Sequence, residues 1–206
     1  MIDDIMYVYE KNFGRTNNLI SLYQNTTQNK KGRRPIENLD LLRVTVVMLH
    51  STFEDFLRNL LNWKLPLANK EKLNKIPLLT SNYDSRRTKF ELGELIEHKS
   101  KSIDDLIRES VKEYLNSQSF NNTKDVTGAL RDIELDVNDE IRKHFPEIEQ
   151  MISRRHNIVH QADKDFRIGD TSLHRVKPIN LKQIIKWQNS IDKLVFEIVR
   201  QINTKV

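Results

Sequence analysis

The sequence predicts an all-α fold. Three observations carry that reading. Apolar residues return at three- and four-residue spacing through several long segments. No apolar–polar alternation runs longer than four positions, and there is neither an internal repeat nor a low-complexity tract. Five glycines and five prolines among 206 residues leave few chain breakers. With 37% hydrophobic and 31% charged residues the balance is that of a soluble globular protein, and the length suits a single domain over residues 1–206.

The first helix is expected over about 2–26, from Ile2, Ile5, Met6, Tyr9 and Phe13 to Leu19, Ile20 and Leu22, with Gly14 as a point of interruption. The loop NTTQNKKGRRPIEN follows. Its Lys30, Lys31, Arg33 and Arg34 read as a solvated connection, with phosphate contact as the alternative. The strongest helix runs from Leu39 to Trp63. There Leu42, Val46, Leu49, Phe53, Phe56 and Leu60 form a seam for the core or for a second copy, widened by Val47, Leu57 and Leu61. Pro66 ends it. Residues 67–89 read as mostly loop, with a short helix around 70–75.

Helices are then expected over about 90–98 and about 102–117. The second opens on Ser102 as N-cap, with Asp104 and Asp105 in the first turn where carboxylates complement the helix dipole. The segment TKDVTGALRDIEL gives a short helix capped by Thr123. Another helix opens at Asn138 and covers about 139–160. Its Ile141, Phe145, Ile148, Ile152 and Val159 lie on or near one face, and Pro146 marks either a kink or the true N-terminal turn. A polar linker with Gly169 and Pro178 spans 162–180. The last helix, about 181–203, opens on Asn180 and Gln183 as a capping box and carries Ile184, Trp187, Ile191, Leu194, Val195, Ile198 and Ile202 at helical spacing.

Several function classes are excluded or disfavoured. No apolar run approaches the length that crosses a bilayer, so no membrane partner is expected. The start, MIDDIMYVYEKN, lacks a basic region followed by an apolar one, so a secretory signal is not expected. The absence of cysteine excludes disulfides and thiolate metal sites and fits a cytoplasmic location. A net charge of +5 permits a polyanionic partner without demonstrating one.

The chemistry concentrates in ISRRHNIVHQADKD, residues 152–165. At about 100° per residue, Arg155 and His160 lie roughly 140° apart on a helix, whereas His156 and His160, at i and i+4, share a face. Asp163 would join that face after one more turn. Arg155 is expected at the edge of the apolar stripe, its stem bracketed by Ile152 and Ile158, and unwinding after Val159 would swing His160 toward it. Histidine moves protons near neutral pH and arginine presents a fork of donors to phosphate oxygens. Together they suit RNA cleavage by the substrate's own 2′-hydroxyl, without metal. The plain alternative is a cationic last turn that complements the helix dipole. A metal held by the two histidines lacks an acidic third ligand at a familiar spacing, so no cofactor is expected.

These residues resemble the HEPN superfamily, whose signature is an arginine, usually a polar residue after it, and a histidine after four to six intervening positions. Arg155, His156 and His160 match it with four intervening, and Arg154 fits as the arginine with five. The text RRHNIVHQAD is similar to a subgroup reading Arg-polar-x-Ile-Val-His followed by an acidic residue. MLHSTFEDFLRNLL, with Glu54 at its centre, and TKDVTGALRDIEL leading to the motif helix are similar to bacterial members of the MAE_28990 or RiboL-PSP type. The resemblance covers about 36–203, most weakly in the middle.

The resemblance implies a HEPN-like helical bundle with a few additional short helices. It further implies a metal-independent endoribonuclease, toxin or anti-phage effector, working as a homodimer whose motifs face each other across a cleft. Arg155 would polarise the scissile phosphate and His160 would act as base or acid. His156 takes the variable polar position, to assist or orient. Arg154, Asn157, Asp163 and Glu54 are positioning candidates, and Asp55 beside Glu54 is a weaker one. RNA is the implied substrate. An antitoxin or a nucleotidyltransferase partner would be a separate chain. Some members keep the fold as non-catalytic nucleotide-binding or assembly modules, and that is the alternative function.

Overall fold

The computed structural model describes residues 1–27, 35–79, 92–165 and 176–204. The basic loop at 30–34 lies outside these, as do residues 80–91, which hold the second half of the expected 67–89 loop and the start of the expected 90–98 helix, and the linker residues 166–175. Among the described residues the protein is all-α, and its one β-type pairing is an isolated antiparallel bridge between Lys164 and Val176.

Helix α1, Ile2–Thr27, is unbroken at Gly14. One glycine costs a helix about 1 kcal/mol against alanine. Burying Ile5, Tyr9, Ile20 and Tyr23 outweighs that, at about 1.5–3 kcal/mol for a fully buried large apolar side chain. The Tyr9 hydroxyl donates to Asp192 at 3.2 Å and the Gln188 amide to Thr16 at 2.9 Å, which fixes α1 to the last helix.

Helix α2, Ile36–Lys64, begins three residues before the expected Leu39. Pro35 stands immediately ahead with φ −56°, the value its ring imposes, and the helix starts from there. The seam residues Leu42, Val46, Leu49, Phe53, Phe56 and Leu60 are each at most 1% exposed. The seam therefore faces this chain's own core and not a second copy. A 3₁₀ turn at Leu65–Leu67, containing Pro66, closes the helix.

The short α3, Lys70–Leu73, follows with Asn69 as its cap. Over 90–98 the expected α-helix is instead a 3₁₀ helix, Leu92–His98. It is tied down by His98 Nε2 against the Leu79 carbonyl at 2.9 Å. Helix α4, Ile103–Ser117, starts as read, with Ser102 Oγ accepting from the Asp105 amide at 3.1 Å. Helix α5, Thr123–Asp132, is capped by Asn122 and not by Thr123. Asn122 Oδ1 accepts from the Asp125 amide at 2.9 Å, which leaves Thr123 as the first helical residue.

The expected helix over 139–160 is two. Helix α6, Asp139–Arg142, and helix α7, Phe145–Gln161, join at Lys143 and His144, and Pro146 sits in the first turn of α7, where its missing N–H costs nothing. Helix α8 is Leu181–Thr204. Asn180 caps it through the Gln183 amide at 2.9 Å, but the box is only half made: the Gln183 side chain donates to Glu147 at 3.3 Å instead of returning to Asn180. Helix α2 lies at the centre, in contact with α1, α4, α5, α7 and α8. That placement sets the middle of α2 against the motif-bearing α7.

Candidate functional site

The end of α7 is closed by one buried carboxylate. Ala162 and Asp163 take left-handed conformations, φ 49° and 56°, and the Asp163 amide donates back to the Asn157 carbonyl at 2.9 Å. This stops the helix after Gln161, so Asp163 does not continue the histidine face. It turns inward and is 1% exposed. Asp163 Oδ2 accepts from Arg43 Nε and from Arg154 Nη2, each at 2.7 Å. Both arginines also donate to the Lys177 carbonyl, at 3.1 and 3.0 Å. The Lys177 amide donates to the Asp163 carbonyl at 2.9 Å. Two charge-assisted bonds on one oxygen join α2, the end of α7 and the chain that leads into α8. Arg154 and Asp163 are thus brought together, facing each other and Arg43.

Arg155 points elsewhere. In α7, Ile148, Met151 and Ile152 precede it by seven, four and three residues and are buried at 2% exposure or less. Helical geometry therefore puts Arg155 in the middle of the core-facing stripe, not at its edge. It is half-buried, and its Nε is buried with no hydrogen-bond partner. Among the described residues it is joined to no carboxylate.

From α2, His50 faces this region. It is 1% exposed, its Nδ1 lies 3.6 Å from Glu54 Oε2, and neither ring nitrogen meets a partner at hydrogen-bonding geometry. Burial first, and then the Arg155 charge, hold its pKa below the usual imidazole value, against the weaker pulls of Glu54 and of the Phe120 backbone. Glu54 is held by Arg58 at 3.0 Å, and Arg58 donates in turn to the Leu115 and Gln118 carbonyls. Glu54 thus stands one residue removed from Arg155, through His50. Asp55 accepts from Asn12 of α1 at 3.3 Å and belongs to the other side of α2. His50 was not singled out from the sequence. The available signal was a lone histidine in an aliphatic seam, four residues before an acid.

His156 and His160 share a face as expected, with ring centroids 4.7 Å apart, and both are exposed. Helix α7 runs past Val159 to Gln161, so no unwinding brings His160 toward Arg155. Within the chain the two motif residues remain on different faces. Beside them Val159 is 48% exposed and Ile158 half-buried, an apolar rim at the end of the stripe. Asn157 lies between the faces of Arg154 and His160. Among the described residues no three histidine or carboxylate side chains group as a metal site.

Compared with known proteins, the chain matches the model of the family described as RiboL-PSP-HEPN over residues 10–204. No curated protein matches it, and no solved structure does.

Proposed function

The chain belongs to the RiboL-PSP-HEPN family, and from that premise we propose that it is a metal-independent endoribonuclease of the cytoplasm, acting as a homodimer in a toxin–antitoxin or anti-phage role. The observation that carries the reading is Arg155. Its Nε is buried in a core-facing stripe without a hydrogen-bond partner, and among the described residues no carboxylate is joined to the guanidinium. A phosphate at the end of the stripe would supply the missing counter-charge.

The chemistry balances without a cofactor. A histidine, His160, takes the proton of the substrate's 2′-hydroxyl as that oxygen bonds to phosphorus. The bond from phosphorus to the 5′-oxygen breaks, and the leaving oxygen receives a proton from an imidazolium. The products are a 2′,3′-cyclic phosphate and a 5′-hydroxyl. Arg155 stabilises the charge on the phosphorane oxygens. His156, packed on the His160 ring, orients it. Arg154 and Asp163 hold the end of α7, and Glu54 acts through His50.

A specific observation supports the dimer. Arg155 and His160 occupy different faces of α7 in one protomer, so a site that uses both is completed most simply by a second copy across the Ile158–Val159 rim. The same separation favours the second reading, a non-catalytic nucleotide-binding or assembly module.

The test is cleavage of total RNA in EDTA, together with growth on expression, by wild type, Arg155→Ala and His160→Ala. The expected outcome is cutting by wild type and a loss of about 10²–10⁴-fold in each variant with the fold intact. Three equally inert, equally stable proteins would leave the assembly module standing.

A further inference from the structure

One cavity of the described residues lies away from Arg155. It is a groove of about 700 Å³ on the opposite face of α7, between that helix and the start of α8. Gln150, Ser153 and Asn157 line it from α7, and Asn180 and Gln183 line it from the α8 side. Pro178, Ile179 and Trp187 give it apolar walls, Lys177 and Arg154 add cations, and Glu149 adds a carboxylate. Four of these side chains are carboxamides, each with a donor and an acceptor in one plane, with Asn180 Oδ1 taken by the α8 cap and the Gln183 amide shared between Glu147 and Gln150. Among the described residues the Asn157 carboxamide makes no hydrogen bond within the protein.

The direction of the groove matters as much as its lining. On α7, Ser153 and Asn157 are four apart, and Asn157 and His160 three apart, so they follow one another along adjoining faces. His156 and His160 are exposed at its motif end. A strand that presents a phosphate to His160 therefore has the groove directly beside it.

We propose that this groove is a base-binding subsite for single-stranded RNA, taking the base of a nucleotide next to the one that is cut. This rests on the ribonuclease reading for the identity of the strand. Unpaired bases are recognised by planar apolar or aromatic walls together with hydrogen bonds to the base edge, and carboxamides are among the side chains whose paired donor and acceptor match such an edge. A volume of about 700 Å³ lies within the range of sites that take small organic groups, roughly 300–1,000 Å³. The groove, and not the motif, would set which sequence is cut.

Binding can be read without cleavage. In a Trp63→Phe background, Trp187 fluorescence would report titration with 2′-O-methyl octamers of A, C or U, which no 2′-hydroxyl attack can cut, and with the free ribonucleoside monophosphates. The expected result is octamer affinity that differs at least about fivefold between bases. Ser153→Phe, at an exposed helix position, would weaken the best octamer about tenfold and flatten the order, with unchanged circular dichroism. Gln183→Ala would shift the order in the same direction. Octamers that do not bind, or that bind with affinity and order untouched by Ser153→Phe, would overturn the subsite. Monophosphates that bind as tightly as octamers would overturn its assignment to an RNA strand. A protein that shows the groove-dependent order but cuts no RNA keeps the subsite and loses the ribonuclease reading. One that cuts RNA with a base preference Ser153→Phe does not change keeps the ribonuclease reading and loses the subsite.

Discussion

At the residue scale, Arg155 sets a charge where the pattern of α7 calls for an aliphatic side chain. If substrate and not the fold is what it serves, replacing it should help the fold. Arg155→Met keeps much of the stem and removes the buried, unpartnered Nε, and it is expected to raise stability by about 1 kcal/mol in urea unfolding while RNA cleavage disappears. A destabilisation of that size would mean that the guanidinium holds structure. His50 makes a prediction about pH. Its folded pKa lies below the unfolded value of 6.5, because burial and Arg155 both disfavour its charge. The unfolded chain therefore binds the proton more readily. Stability is full above 6.5 and falls as pH drops from 6.5 toward the folded value. His144, also lowered by burial first, adds to the same slope. His50→Gln should flatten the fall in urea midpoint between about pH 6.5 and 5 without abolishing it.

At the scale of elements, the closure of α7 is the exposed point of the design. Asp163→Ala leaves two largely buried guanidiniums facing each other, and removing one partner of such a group costs about 3–5 kcal/mol. Asp163→Asn keeps an acceptor and should cost distinctly less; equal losses in thermal unfolding would point to packing rather than charge. Met151 was left out of the apolar face of α7, so Arg155 was expected at the edge of the stripe and not in its middle, although the stripe itself was legible at this scale. So were α1, the α2 seam, the Ser102 cap and the extent of α8, because periodicity and capping are local. The break between α6 and α7 was legible only as an alternative, because Pro146 suits a first turn and a kink equally. The 3₁₀ form of Leu92–His98 was not, since apolar spacing there does not separate the two helix types. The partnership of Asp163 with Arg43 spans 120 residues of sequence, and no spacing rule reaches that far.

At the scale of the whole molecule, the prediction concerns mass. The α2 seam is used up inside the chain, so a dimer must form through other surfaces, and Val159 at 48% exposed beside the motif is the natural centre of one. Light scattering should find twice the chain mass of 24.4 kDa. Val159→Asp should return it to the single mass and take RNA cleavage with it. A wild type that is monomeric yet cuts RNA would remove the second copy from the mechanism.

The carboxylate of Asp163 also leaves a mark on descent. One oxygen serves Arg43 and Arg154 together, so a lineage cannot reverse a single pair of charges: turning the aspartate basic would strand two arginines, and losing it would leave their like charges facing each other. Positions 43, 154 and 163 are therefore expected to persist or vanish as a set among relatives. That set can be inherited independently of His160, so descendants that have lost the histidine can still be recognised by the three residues that closed its helix.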